Sequence, residues 1–177
     1  MTELLDELRQ SLREAHRLLA EAVDGLTDEQ LAHRPGGTTP SIAFHLWHSA
    51  RWADSDQSAI SGDPEVWLRD AYAPRWHLAD TALGEAGTGT GMSDDQSAGL
   101  ALPGKTGLIE YATAAFAAFG TVAGRLTAAQ LNDETSASDG TATVQSRLLV
   151  QLTHTNRHLG MIEALKGLQG LHGTATR

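Results

Sequence analysis

His154 and His158, in Leu152-Thr-His-Thr-Asn-Arg-His-Leu-Gly-Met161, stand four residues apart near the C-terminal end of the chain. On a helix that spacing is about one turn, so both imidazoles point the same way and can share one metal ion. A third candidate, His48, lies in Ser41-Ile-Ala-Phe-His-Leu-Trp-His48, more than a hundred positions earlier. Only a folded bundle brings it to the same point. Three histidines leave a metal with an open coordination position, which distinguishes catalytic sites from closed structural ones.

His45 competes with His48 for the third position, since the two are three residues apart on one helical stretch and about 60° apart around its axis. Phe44, Trp47 and Trp52 surround them as a dry wall or as ordinary core. Arg51, Asp54 and Asp56 follow on the same stretch, where they can orient ligands or substrate or simply occupy a solvated face.

The elements that must position these residues are helical. The first amphipathic helix runs from about Thr2 to Gly25, with Leu4, Leu5, Leu8, Leu12, Ala15, Leu19, Ala22 and Val23 at steps of three and four. Thr27 with Gln30 then forms a capping-box sequence. The second helix is predicted to open with Thr39 as N-cap and Pro40 as first residue, and to run through His45 and His48 to Gly62. The third spans roughly Thr106 to Leu126, with Leu108, Tyr111, Ala115, Phe119, Val122 and Leu126 inward. The fourth starts near Thr143 and stops at Lys166-Gly167, a basic last turn followed by a C′ glycine. In it Gln151, His154, His158, Met161 and Leu165 run beside a Leu148, Leu152, Leu159 and Ile162 stripe, so the histidines border the core. Buried imidazole nitrogens need partners, because each one left unsatisfied costs on the order of 1 to 3 kcal/mol.

Four long helices predict an all-α four-helix bundle. Between the second and third helices, residues 62–103 form a long excursion with short amphipathic pieces at Pro64 to Ala73 and Ser93 to Leu100. Excursions of that length are functional or mobile. Its run Gly84-Glu-Ala-Gly-Thr-Gly-Thr-Gly91 has neither the preceding strand nor the Gly-Lys-Ser/Thr ending of a phosphate-binding loop. Gly25 to Leu31 and Arg125 to Leu131 share Leu, Thr, Gln and Leu in register, a hint of two related helical hairpins.

The 177 residues suit a single domain, 1–177, with its own apolar core. Thirteen Lys and Arg stand against 22 Asp and Glu, and the formal charge of −9 repels nucleic acid and anionic membrane. No apolar run approaches the roughly 18 to 20 residues that span a bilayer, and the charged N-terminus has no signal-peptide core. A cytoplasmic location is expected. Cysteine is absent, which removes thiolate ligands and a cysteine nucleophile. Thiol chemistry would need a small molecule.

Pro40-Ser-Ile-Ala-Phe-His-Leu-Trp-His48 and His154-Thr-Asn-Arg-His158-Leu-Gly-Met-Ile162 together make nearly the whole chain resemble the DinB/YfiT-like metalloenzyme superfamily. The resemblance implies a four-helix bundle, frequently homodimeric, and places the metal triad on His48, His154 and His158, with His45 as a neighbour that faces the core or supports a ligand. Zinc or nickel is the implied metal. Similar proteins include S-transferases that use bacillithiol or mycothiol and mycothiol-dependent isomerases, so the leading expectation is a metal-dependent transferase using a small cytosolic thiol. Arg51, Arg75 and Arg157 are candidates to hold the thiol's carboxylate or the substrate, Asp54 is a candidate to orient a ligand, and residues 62–103 are expected to shape the pocket. Two alternatives stand beside it: hydrolysis by water activated on the metal, with Asp54 or Glu163 as base, and a non-catalytic, dimeric metal-binding stress protein.

Overall fold

The computed structural model describes residues 2–137 and 140–174. The described residues contain eight α-helices and one small hairpin, besides two 3₁₀ turns at Pro35–Gly37 and Ala128–Asn132: α1 (Thr2–Val23), α2 (Asp28–Ala32), α3 (Ile42–Ser61), α4 (Val66–Arg69), α5 (Tyr72–Arg75), α6 (Asp94–Gly99), α7 (Lys105–Arg125), β1 (Glu134–Ala137), β2 (Gly140–Thr143) and α8 (Val144–Leu168). The long helices are α1, α3, α7 and α8, the four read from periodicity. Both α1 and α3 pack against α7 and α8, while α1 and α3 touch only marginally. The histidine-bearing helices α3 and α8 are therefore neighbours, and this adjacency closes the gap of more than a hundred residues between the two motifs.

The core follows the heptad-like stripes. Leu5, Leu12, Leu19 and Val23 of α1 meet Leu108, Tyr111, Ala115 and Phe119 of α7 and Leu148 and Ile162 of α8 in one buried cluster. Each large side chain so enclosed contributes on the order of 1.5 to 3 kcal/mol. Leu4, assigned to the α1 stripe, is instead 50% exposed, and Met161 of the histidine row is 40% exposed. Trp47 is completely buried on α3.

Several boundaries move for identifiable reasons. Ser41, not Thr39, caps α3: its hydroxyl accepts from the Phe44 amide, and Pro40 lies outside the helix. The α8 terminus lies at Gly170 rather than Gly167. Gly170, at φ 72°, donates to the Gly167 carbonyl while Leu171 donates to the Lys166 carbonyl. This is the paired bonding of a Schellman ending, which needs the left-handed conformation glycine adopts without strain. Both Leu-Thr-x-x-Gln-Leu segments form capping boxes, the first opening α2 and the second a 3₁₀ turn over Ala128–Asn132.

The β1–β2 hairpin was not anticipated. Its strands pair antiparallel from Glu134 with Thr143 to Ala137 with Gly140. Arg147 of α8 fixes it, donating to Thr135 Oγ1 at 2.6 Å and to the Gly140 carbonyl at 2.9 Å, while reaching Asp56 of α3 at 3.0 Å.

Covered by α7, α8, β1 and the 62–103 excursion, α3 is buried around nearly its whole circumference. A solvated face for Arg51, Asp54 and Asp56 is thereby ruled out: all three are buried, at 2%, 0% and 2% exposure. Asp54 accepts from the Val66 and Trp67 amides and from the Tyr111 hydroxyl, pinning α4 and α7 to α3. Buried charges survive only when paired and hydrogen-bonded, and here they staple the excursion to the bundle. No helix among the described residues is long and apolar enough to cross a membrane.

Candidate metal centre

The first two turns of α3 carry His45 and His48 inward, and the middle of α8 carries His154 and His158 toward them. All four are buried, at 5 to 7% exposure. His48, His154 and His158 each offer a ring nitrogen, and those nitrogens lie within 4.8 Å of one another. Between His48 Nε2 and His154 Nε2 the separation is 3.0 Å. His45, the competing candidate on spacing, stands against His158 with their Nδ1 atoms 2.9 Å apart and lies outside the three-histidine group.

Protonation in this cluster is constrained. Burial pushes His48 down to about 4, with the nearby Arg157 charge adding to the effect and the Thr88 contact opposing it. Burial likewise lowers His45 to about 4, His154 to about 3 and His158 to about 2, reinforced by the neighbouring imidazoles. All four rings are neutral at physiological pH, the state in which imidazole binds a metal. His48 Nδ1 faces the Thr88 carbonyl, which can only accept, so the ring carries its proton there and leaves Nε2 bare.

Two ring nitrogens are orphaned, and one of them, His158 Nε2, makes the case for a ligand. His154 Nδ1 and His158 Nε2 are sealed from solvent and have no hydrogen-bond partner among the described residues. Leaving both unsatisfied would cost on the order of 1 to 3 kcal/mol apiece. A cation shared by the cluster would occupy the His158 Nε2 lone pair and the facing His48 and His154 nitrogens, so the residues present fit a divalent metal. Three neutral donors would leave its charge intact and at least one position open.

The histidine cluster lines a cavity of about 580 Å³, whose walls include Phe44, Trp52, Met161 and Leu168. Phe44 stacks on His48 at 5.6 Å between ring centroids, and Trp52 lies 4.8 Å from His154. One flank is the glycine-rich loop: Glu85 and Thr90 form an isolated antiparallel bridge, and Gly89 to Met92 line the cavity. Gly89 is backbone against aromatic ring. A Cβ there would come within 2.7 Å of Trp47 and 3.2 Å of His48 Nδ1, and its φ is +90°.

The remaining site candidates separate. Arg157 lines the cavity, is exposed, and is the one charged side chain doing so among the described residues. Arg75 is remote, pairing on the surface with Glu110 at 2.9 Å. Arg51 does not line the cavity; its guanidinium binds Glu65, Asp54 and the Tyr111 hydroxyl and lies 5.0 Å over the Trp67 ring. Asp54 bonds the backbone of α4 rather than any histidine. Glu163 is engaged by the amide and hydroxyl of Thr174. No carboxylate lines the cavity among the described residues. Sequence reasoning missed Thr88, because its contribution is a backbone carbonyl and any residue type could supply one.

A four-helix bundle with a buried three-histidine cluster opening to an apolar cavity is the architecture of a metal-binding bundle protein. The sequence matches the DinB superfamily over residues 11–162, and the chain belongs to that superfamily. A search of the curated proteins gave no match. Among solved structures, the chain is similar to a conserved protein from Enterococcus faecalis, with a TM-score of 0.78 at 20% identity, over 92% of this chain and 95% of that one. At that identity the likeness concerns the fold.

Proposed function

We propose that the chain is a metal-dependent enzyme in which His48, His154 and His158 hold a divalent cation, zinc or nickel, and a small thiol is activated toward an electrophilic substrate in the adjoining cavity. The observation that carries this reading is the buried, unpartnered His158 Nε2 in a three-histidine cluster that opens onto that cavity. When bound, such a cation supplies a Lewis acid that lowers the pKa of a thiol or water at its open position.

The chain's own residues supply the rest. Phe44 and Trp52 pack their rings against His48 and His154 and give the cavity an apolar wall beside the cluster. Arg157 places a positive charge at its wall, suited to the carboxylate of a small thiol or of an anionic electrophile. The thiol's proton passes to solvent, its sulfur bonds to the electrophilic carbon, and the displaced group leaves with the bonding pair. Thiol use is favoured over hydrolysis because the bases a hydrolase would need, Asp54 and Glu163, are committed to other partners and do not line the cavity.

Metal content of untagged protein, with His48→Ala and His158→Ala in parallel, tests the centre; thiol titration of the cobalt-substituted protein tests the chemistry. About one metal per chain, lost in both variants and spectrally perturbed by thiol, is the expected result. Metal retained in both variants would overturn the histidine site, and a cobalt spectrum blind to thiols would overturn thiol use.

A further inference from the structure

The geometry points to Arg51 and the glycine loop as a positioning device for His48: Arg51 straps the loop so that the Thr88 carbonyl holds His48 in its metal-binding tautomer. This inference rests on the metal centre proposed above and adds to it the elements that preset it and couple it to the cavity wall.

Three side chains on one face of α3, at positions 48, 51 and 52, hold three points of the loop. His48 Nδ1 meets the Thr88 carbonyl, Arg51 Nε donates to the Gly87 carbonyl at 2.9 Å, and Trp52 Nε1 donates to Thr90 Oγ1 at 3.2 Å. Spacings of three and four put these residues on adjacent turns of one surface. The loop is also closed on itself, with the Glu85 amide donating to the Thr90 carbonyl at 2.8 Å and Gly89 to the Leu83 carbonyl at 2.7 Å.

Arg51 is anchored from the other side. Nη2 binds Glu65 at 2.8 Å, and Nη1 donates to the Tyr111 hydroxyl at 3.2 Å and to Asp54 at 3.3 Å. At 2% exposure, with contacts to α4, α7 and the loop, its planar fork fixes the direction of Nε. A lysine keeps the charge but presents no such fork. Gly89 completes the device, because only a residue without a Cβ lets the backbone lie against Trp47, Phe44 and His48.

Ligand histidines are held by what their second nitrogen binds, and loss of that partner costs 10- to 100-fold in metal affinity. Here the partner is a loop carbonyl, and the same loop supplies Gly89 to Met92 of the cavity wall. Coupling is reciprocal: a loop that presets His48 for metal is itself steadied when metal binds. Ligands pressing on Gly89 to Met92 are then transmitted to the metal through Thr88.

The test compares wild type, Arg51→Lys and Gly89→Ala by imidazole nitrogen NMR, amide hydrogen exchange over residues 84–92, and zinc affinity by chelator competition. The expected result is an Nδ1–H tautomer for His48 in metal-free wild type, lost in both variants; faster exchange at Thr88 and Gly89 in both; and zinc affinity reduced 10- to 100-fold. Zinc slows loop exchange in wild type and does so less in the variants. Should Arg51→Lys unfold the α3–α4 region by leaving buried partners unmet, Gly89→Ala, which touches none of the Arg51 ion pairs, carries the test. Unchanged loop exchange and zinc affinity in Gly89→Ala overturn the inference while leaving the metal centre standing. A fixed His48 tautomer in a wild type that binds no metal overturns the metal centre while leaving the loop device standing.

Discussion

His158 and His45 face each other through their Nδ1 atoms at 2.9 Å, and two neutral imidazoles in that arrangement share one proton. With His158 as donor, its Nε2 becomes a bare lone pair inside the histidine cluster, where it has no protein partner. His45 thus serves His158 as the Thr88 carbonyl serves His48.

From that relationship, His45→Phe is expected to keep the fold and lower metal affinity by about 10- to 100-fold, the usual effect of losing a group that orients a ligand. Chelator competition measures it, and far-ultraviolet circular dichroism controls for folding. Unchanged affinity would remove His45 from any role in the centre.

Acid should destabilise the metal-free protein through its buried imidazoles. His16 shows the effect away from the cluster: burial alone pushes it down to about 4, stacked on Phe116 at 4.2 Å between centroids. In the unfolded chain it titrates near 6.5, so between about pH 6.5 and 4 the unfolded state holds a proton that the folded state lacks. The stabilisation is complete above that window and fades as pH falls through it, with a slope approaching about 1.4 kcal/mol per pH unit per histidine. Urea denaturation from pH 7.5 to 4.5 should therefore show a shallower decline for His16→Leu than for wild type, by about one proton. Parallel declines would contradict the assignment.

The four bundle helices and the two histidine motifs were legible because both are periodic signals: the Leu5–Leu12–Leu19 stripe repeats in register, and His154 and His158 sit one turn apart. What stayed hidden depends on tertiary contact. A solvated face for Arg51 and Asp54 was the reasonable reading, since nothing local says that α4 and the glycine loop will cover α3 and turn those charges into staples. The β1–β2 hairpin lacks alternating apolar residues, reading Glu-Thr-Ser-Ala and Gly-Thr-Ala-Thr, and its order depends on Arg147 from the following helix. Thr88 acts through its backbone. The capping shift from Thr39 to Ser41 was a local competition between two hydroxyl residues on either side of Pro40, settled by which one reaches the Phe44 amide.

Arg157 supplies the one charged side chain along the cavity among the described residues, so it should govern recognition rather than metal binding. Arg157→Ala is expected to retain one metal per chain and to weaken anionic thiol binding by about 10-fold, in line with about 1.4 kcal/mol for a partly solvated charged contact. The weakening should diminish at high salt, where an exposed cation is screened. Equal thiol affinity in wild type and variant would assign the anion contact elsewhere.

Arg147 offers the sharpest test of how the fold supports the site. Its guanidinium is 3% exposed and joins Asp56 of α3, Thr135 of β1 and the Gly140 carbonyl of β2, tying the hairpin to the two helices that carry the histidines. Replacing a buried ion pair by apolar residues can be nearly neutral, whereas removing one partner of such a pair costs about 3 to 5 kcal/mol. Arg147→Met should therefore lower unfolding stability by that amount, and Arg147→Met with Asp56→Leu should recover much of it. The double variant should also match wild type in metal affinity more closely than the single one, since α3 and α8 would again meet through two side chains of matched charge. A double variant no more stable than the single one would show that Arg147 acts through the hairpin contacts rather than through Asp56, and exchange of the β1 and β2 amides would then separate the two roles.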